Sequence, residues 1–350
     1  GHTVYVWADA LLNYLSAIGW PQRQYAKWWL AKEGEVGGPG AARQDEFQHL
    51  DGQGRPGAAW AGTGTVQYTN AFHLIGKDIS RFHCVLWPAL LLAAGVPLPR
   101  QVYIHGFIYA RGERLSKSLG NLVDPVALAE QFGADELRFY LINAIPTGRD
   151  GEFTLKQFVE HCNTHLANGV GNLASRTLKI VHTHFEGRTP AEWAPDAFQD
   201  AAAREGLEAL IAAAGEAAEE VPRAFEELRL HDALAAAWQP VVRADEFIER
   251  VKPWALVKDP ARRAEVGTAM NAVLETLRLV AIWAWPAIPT KSEALWAMLG
   301  LQGSPAATRG EEAKPRFGAP PARAVGEQQS LFPRLKLPAE AAAGAPASSG

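Results

Sequence analysis

From Phe153 to about Leu301 the chain has no strand-like run; it is a succession of long helical patterns, several Ala-rich, interrupted at Pro222, Pro240, Pro253, Pro286 and Pro289. Helix-period spacing sustained over that length predicts an all-helical bundle across residues 146–302. The residues before Pro146 follow another rule. Thr3 to Trp7 alternate β-branched and aromatic residues as a strand does, Asp9 occupies an N-cap position, and an apolar helix runs from Ala10 to Ile18. Phe72 to Ile75 and Gln101 to Tyr109 read as strands on either side of a helix from Asp78 to Ala94, which Gly95 and Pro97 stop. Helices from Pro125 to Gln131 and from Ala134 to Ile142 complete an α/β region over residues 1–145. Within it, residues 31–64 are rich in Gly, Ala, Gln and charge with little periodicity, and are expected to be a flexible insertion. Beyond Gly303 the apolar periodicity vanishes and Ala, Pro, Gly and Ser accumulate, so residues 303–350 are expected to be a disordered tail.

A chain of 350 residues has room for these two domains, each with its own core. The formal charge of −4 excludes a basic nucleic-acid coat but not a local binding patch. Cys84 and Cys162 lie far apart with no partner at metal-ligand spacing, which predicts neither a disulfide framework nor a zinc site in this segment and fits a reducing cytoplasm. No apolar run is seen to approach the roughly 18 residues of a membrane span, and the opening GHTVYVWADA is no signal peptide. It lacks an initiator Met and enters a strand-like run at once, so the chain is expected to be cut from inside a larger protein.

Chemistry concentrates first at Arg114-Leu115-Ser116-Lys117-Ser118-Leu119-Gly120-Asn121, a cationic, hydroxyl-rich loop held between Gly112 and Gly120. Glycines allow the backbone to hinge, Arg and Lys supply positive charge, and the serines supply hydrogen bonds. Such a loop can close over a triphosphate and neutralise charge developing on a departing pyrophosphate. Spacing alone describes a surface turn with two cations equally well. The segment resembles the KMSKS signature of class I aminoacyl-tRNA synthetases, with Arg114 and Leu115 in place of the first Lys and the Met, and HGFIYARGERLSKSLGNLVDP is similar throughout to that family's strand, loop and helix. The resemblance implies that Lys117 binds ATP and stabilises the transition state of adenylate formation, with Arg114, Ser116 and Ser118 in the same catalytic loop. Arg114 keeps the charge of the Lys it replaces, but as a planar guanidinium.

Two further segments bear on the amino acid. In VYVWADALLNYLSAIG, Trp7 ends the predicted strand and Ala10, Leu11 and Tyr14 share a helical face. Taken alone this is a strand–helix corner packing its core. In HLIGKDISRFHCVLWPALLLAAG, Asp78/Phe82 and Ile79/His83 are i,i+4 pairs, and Gly76 between strand and helix is a candidate phosphate and ribose site because backbone N–H groups are free there. A His beside Phe and Trp reads by itself as a packed core residue. Both segments resemble the methionine-pocket segments of methionyl-tRNA synthetases, and aromatic walls suit a thioether. The resemblance implies a methionine pocket of Trp7, Ala10, Leu11, Tyr14, Ile79, Phe82 and His83. It implies ribose contacts from Gly76 and Asp78, phosphate contacts from Lys77, and an adenine contact through the backbone of Ile108.

In the helical region, Asn168, Asn172 and Arg176 are spaced i, i+4, i+8 and form one polar stripe, opposite Leu166, Val170, Leu173 and Ile180. A solvated helix face is the ordinary account of such a stripe, although amides and Arg can also read splayed bases. NTHLANGVGNLASRTLKIV resembles the anticodon-reading helix of the methionyl-tRNA synthetases. That resemblance implies base contacts from Asn168, Asn172 and Arg176, and stacking of an anticodon base on Trp254 in RVKPWALVKD. Asp245 stands where that family usually carries Asn.

Taken together, the segments predict an α/β remnant of a Rossmann-like class I synthetase catalytic domain followed by an all-α anticodon-binding helical bundle. The implied partners are methionine, tRNA(Met) and ATP as a substrate with Mg2+, in the cytoplasm and away from membranes, with no metal held by this segment. A HIGH-type motif, a zinc knuckle and the carboxylate for methionine's amino group are not found in these residues, so the isolated chain is expected to be inactive by itself. A non-catalytic tRNA-binding module derived from the synthetase is the alternative. A class I synthetase for another amino acid is disfavoured by VWADALLNY and by the Asn/Arg/Trp set.

Overall fold

The computed structural model describes residues 7–19, 29, 69, 71–110, 113–114 and 123–338. The expected insertion at 31–64 and the loop residues Ser116, Lys117 and Ser118 lie outside them. Two compact units divide the chain, Gly1–Phe107 and Ile108–Gly350.

In the first unit, β1 (Phe72–Gly76) and β2 (Gln101–His105) pair in parallel, in register from Phe72↔Gln101 to Gly76↔His105. A parallel pair cannot be closed by a tight turn and needs a crossover. The crossover is helical but not the single α-helix expected from Asp78 to Ala94. It begins with a 3-10 turn at Lys77–Ile79, passes through a π-turn at Phe82–Leu86 and becomes α2 at Trp87–Ala93, α1 being the earlier helix Trp7–Ser16. Period alone cannot detect a π-turn, because it adds one residue within an otherwise unbroken helical pattern. A second expectation is corrected at α1: Trp7 opens this helix instead of ending a strand, and Asp9 falls inside the helix instead of preceding it. The strand expected from Thr3 lies outside the described residues up to Trp7. Leu11, Leu15, Trp29, Trp87, Leu91 and Val96 form the core of this unit. Along β1 the pleat buries His73 and Ile75 and exposes Phe72 and Leu74.

The second unit begins earlier than the expected boundary at 145/146. β3 (Ile108–Ala110) pairs antiparallel with β4 (Glu113–Arg114) and parallel with β5 (Gly151–Glu152). Asp124 caps α3 (Pro125–Phe132) by accepting from the Val126 and Ala127 amides, and Gly133, at φ 105°, makes the sharp turn into α4 (Ala134–Asn143). Helix α4 belongs to the helical unit because its side chains are built into it. Phe139 and Tyr140 join the same core as Phe153, Phe158 and Trp238. Arg138 donates to the Pro286 and Ala287 carbonyls at 2.6 and 3.2 Å, and Asp135 accepts from the Lys291 amide at 2.6 Å.

The remaining helices are α5 (Leu155–Cys162), a π-turn at Asn163–Gly171, α6 (Asn172–His184), α7 (Ala201–Glu226), α8 (Leu230–Val251), the short α9 (Pro253–Leu256), α10 (Arg263–Trp283) and α11 (Pro289–Met298). Pro222 and Pro240 do not break helices as expected; they lie inside α7 and α8. An internal proline costs about 3 kcal/mol. Packing offsets it, since α7 buries Ala203, Leu207, Leu210, Ala214, Ala217, Val221 and Ala224 while α8 buries Leu234, Ala237, Val241, Ala244, Phe247 and Ile248. Pro253 and Pro289 open their helices, where a missing N–H is no loss. The stretch Pro260–Trp283 has the length and apolarity of a membrane span, contrary to the sequence expectation, yet 94% of its apolar window is buried inside the bundle.

The tail is the largest departure. Residues 303–338 are not disordered but run back over the bundle. The Thr189 amide donates to the Arg323 carbonyl at 2.9 Å and the Val325 amide to that of Gly187 at 2.8 Å. The Asn163 side chain grips the Leu335 backbone, accepting from its N–H at 2.8 Å and donating to its carbonyl at 3.0 Å. Val325, Leu331 and Phe332 are buried. An extended strap held by backbone bonds and a few apolar anchors has no periodicity for a sequence pattern to reveal.

Candidate functional site

The first unit builds a cage of rings. Tyr14, on α1, meets His73 of β1 at 4.4 Å between ring centres, His83 of the π-turn at 5.5 Å and Trp87 of α2 at 5.9 Å. Trp29 closes the group, 6.0 Å from His73 and 6.3 Å from Trp87, with its indole N–H donating to the Pro97 carbonyl at 3.0 Å. The hydrogen bonds constrain the protons on both histidines. His83 Nδ1 lies 3.0 Å from the Ile79 carbonyl, which can only accept, so Nδ1 carries a proton, and Nε2 on the other side of the ring lies 2.8 Å from the Tyr14 hydroxyl. Trp87 Nε1–H donates to His73 Nε2 at 3.1 Å. Burial, reinforced by neighbouring His83, holds His73 down to about 4, so this ring is neutral at physiological pH. Burial also raises the Tyr14 hydroxyl above its ordinary value.

Of the expected pocket residues, Tyr14 and His83 are therefore joined directly, Ile79 supports His83 through its carbonyl, and Phe82 packs half-buried against the same core. Leu11 is sealed in the core beside Trp87, whereas Ala10 is exposed. The Trp7 side chain lies outside what the structure describes. His73 and Trp29 were not anticipated from the sequence. The β1 alternation that turns His73 inward was legible; nothing local to Trp29 marked it.

Gly76 and His105 end their strands side by side. Ligands of open parallel sheets bind at such carboxyl ends. A Cβ on Gly76 would meet the Asp78 carboxylate at 2.8 Å, so that carboxylate would have to turn away, and would lie at ordinary contact distance, 3.7 Å, from the His105 ring. Lys77 lies over the Phe107 ring, 4.6 Å from its centre. Ile108 is half-buried in β3 of the second unit, and Arg114 ends β4 with its backbone paired to Tyr109. Among the described residues no group of three His, Cys, Asp or Glu side chains is placed to hold a metal.

The second unit gathers the predicted polar stripe. Its regular α-spacing does not hold throughout, because Asn168 falls in the π-turn, which kinks at Gly169 (φ −84°, ψ −108°). Asn168 and Asn172 nonetheless line one groove of about 440 Å³, together with Ser175 and the strap residues Gln328 to Phe332. On α6, Arg176 Nη2 sits 2.7 Å from the Glu249 carboxylate, and its guanidinium lies over the Trp254 ring at 4.5 Å. Lys252, in the left-handed region at φ 50°, turns the chain between α8 and α9 and so places Trp254, which remains 39% exposed. Asp245 is pushed up to about 6 by burial, with Glu249 adding to the rise and Arg176 opposing it.

Residues 57–178 match the family model described as tRNA synthetases class I (M). The methionine–tRNA ligase of Brucella suis biovar 1 is 38% identical over 301 residues, which is 86% of this chain and 49% of that protein. That of Bacillus subtilis is 33% identical over 344 residues, 97% of this chain and 45% of that protein. The methionyl-tRNA synthetase of Mycobacterium tuberculosis, solved bound by methionyl-adenylate, superimposes with a TM-score of 0.73 at 32% identity, covering 95% of this chain and 56% of that one. This chain belongs to the methionyl-tRNA synthetase family. It spans about half the length of the curated relatives it matches. As a member of that family, its β1–β2 pair with helical crossover is part of a Rossmann-like class I domain, and its second unit holds the helical bundle.

Proposed function

We propose that this chain supplies the methionine pocket, part of the nucleotide site and the anticodon-reading helices of a methionine–tRNA ligase. The observation that supports this best is the cage of Tyr14, His73, His83 and Trp87, assembled on β1 and its crossover. It is a cluster of packed aromatic rings joined by its own hydrogen bonds, with Tyr14 reaching its surface, and aromatic rings are the neighbours that a thioether favours.

The methionine carboxylate attacks the α-phosphate of ATP in line, pyrophosphate departs, and the methionyl group passes from the adenylate to the terminal ribose of tRNA(Met). Tyr14, Ile79, Phe82 and His83, with Trp7, Ala10 and Leu11 around them, receive the methionine side chain. Asp78 accepts from the ribose hydroxyls, and Gly76 lets the sugar approach the backbone. Lys77 meets the phosphates, and the Ile108 backbone holds adenine. Lys117 places its ammonium against the charge growing on pyrophosphate, with Arg114, Ser116 and Ser118 completing the loop. Magnesium comes with the triphosphate as part of the substrate.

The test is methionine-dependent ATP–pyrophosphate exchange by this chain joined to the N-terminal half of a relative such as the Bacillus subtilis enzyme. Lys117→Ala is expected to lower exchange about 100-fold or more. Exchange undiminished by that substitution overturns the loop's role. Anticodon-selective tRNA binding without any exchange in the joined protein would instead favour a tRNA-binding module.

A further inference from the structure

The groove beside Asn168 and Asn172 has a second wall, to which the proposed function gives no role. Gln328, Gln329 and Ser330 form it, three consecutive exposed polar residues on the returning strap. The strap is anchored on both sides of them. Before them, the Gly326 amide donates to the Met298 carbonyl at 2.9 Å, and Val325 is buried. After them, Leu331 and Phe332 are buried, and the Leu331 carbonyl accepts from Lys291 Nζ at 2.8 Å. Phe332 packs beside Gly171, where a Cβ would meet the Leu166 carbonyl at 2.9 Å and the Phe332 Cβ at an ordinary contact distance of 3.5 Å.

Gln328 is itself held. Its Nε2 donates to Ser175 O at 3.2 Å and to Ser175 Oγ at 2.9 Å, which sets the plane of the amide. Its Oε1 has no hydrogen-bond partner among the described residues, and neither has the side chain of Gln329. Amides fixed in place lose little further entropy when they bind. The lining residues include no Lys, Arg, Asp or Glu. A phosphate would call for cations, which supply most contacts to the nucleic-acid backbone. A neutral groove lined by amides and hydroxyls suits a flat, uncharged ligand with donors and acceptors along its edge, as a splayed base has.

We propose that Gln328 and Gln329 are specificity-determining residues that read one anticodon base of bound tRNA from the strap side of this groove, opposite Asn168 and Asn172. The inference rests on the anticodon reading proposed above. It is tested by titrating the full chain, at one fixed salt concentration, with tRNA(Met) transcripts that differ from the parent at single anticodon positions. The proteins compared are the parent chain, Gln329→Ala, Gln328→Ala and the double variant, each checked by thermal melting. Gln329→Ala removes no internal hydrogen bond, so it remains informative where Gln328→Ala disturbs the strap. The double variant is expected to bind the parent transcript about tenfold more weakly. It should bind the transcript altered at the position read as the parent chain does, so discrimination collapses at one position and survives at the others. Equal weakening on every transcript, or discrimination retained at every position, overturns the inference. If the parent chain itself binds all anticodons alike, the anticodon reading falls as well; if it discriminates and the glutamine variants discriminate equally, only the present inference falls.

Discussion

The guanidinium of Arg176 lies over the indole of Trp254, its central carbon 4.5 Å from the ring centre, while Nη2 reaches the Glu249 carboxylate at 2.7 Å. Stacking on a cation and partial exposure leave the indole held yet accessible. The exposed ion pair contributes roughly 0–1 kcal/mol by itself, so its use is to hold a planar cation flat against the ring. Trp254→Ala is therefore expected to weaken tRNA binding by about 1–3 kcal/mol. Arg176→Lys should fail to preserve affinity, because an ammonium cannot lie flat on an indole while one of its nitrogens reaches a carboxylate. Filter binding at fixed salt reads both, and unaltered affinity in Trp254→Ala rules out base stacking there.

Tyr14 and His83 are each other's hydrogen-bond partners in the ring cluster of the first unit. Removing the hydroxyl by Tyr14→Phe leaves the buried His83 Nε2 without its hydrogen-bond partner, at a cost of about 1–3 kcal/mol. Urea titration followed by tryptophan fluorescence measures it, since the Trp87 ring centre is 5.9 Å from that of Tyr14. In the joined enzyme the same variant should raise the KM for methionine more than it lowers kcat. A Tyr14→Phe protein with the parent's urea midpoint and KM would show the bond to be incidental.

Acid should destabilise both units. Burial holds His73 in the first unit and His161 in the second at about 4, His161 also feeling His165 and His231. An unfolded His titrates near 6.5. Between those values the unfolded chain takes protons that the folded chain refuses, so this stability is complete above about pH 6.5 and is lost as pH falls toward 4. The histidine contribution is read by difference: the change in urea midpoint between pH 7 and pH 5 should shift toward greater stability at pH 5 in His73→Gln and His161→Gln relative to the parent chain, and a pH dependence identical to the parent's contradicts burial of the two rings.

Asp245 has the opposite sign. Its folded value of about 6 lies above that of an unfolded Asp, so the folded chain binds the extra proton and stability declines as pH rises from about 4 to 6. Asp245→Asn removes a half-buried charge that is incompletely solvated at neutral pH. It is expected to stabilise the second unit at pH 7.5 by roughly 1 kcal/mol, a figure already discounted for partial exposure. Near pH 4 the gain should vanish, which differential scanning calorimetry at the two pH values can check.

The strap makes its own prediction. Phe332 is buried, and Phe332→Ala should cost about 3 kcal/mol. It should also loosen the strap on both sides of the 328–332 wall, seen as faster amide hydrogen exchange at Gly326 and Leu335, whose N–H groups bond the Met298 carbonyl and the Asn163 side chain. Exchange at both amides as slow as in the parent chain contradicts anchoring through Phe332.

Much of the architecture was legible because periodicity survives without knowledge of contacts. The helical half, the strand–crossover–strand unit and the candidate residues Tyr14, His83, Asn172, Arg176 and Trp254 all stand in segments whose local pattern is strong. What escaped has a common cause. The π-turns at Phe82–Leu86 and Asn163–Gly171 shift helical phase without leaving any mark in composition. Pro222 and Pro240 carry a helix-breaking signal that the packing of α7 on α8 overrides. Trp29 reaches the cage from a stretch with no pattern around it.

The chain's own order of residues determined its family likeness, its division into α/β and helical parts, and the chemistry available at each segment, because motifs and periods are local properties. Only the tertiary structure decided that α4 belongs to the helical unit, that His73 faces Tyr14 and His83, and that an aperiodic tail is a strap walling the Asn168–Asn172 groove. Those are contacts between residues distant in sequence. They depend on which surfaces remain to be buried once the local elements have formed, and no window along the chain contains that information.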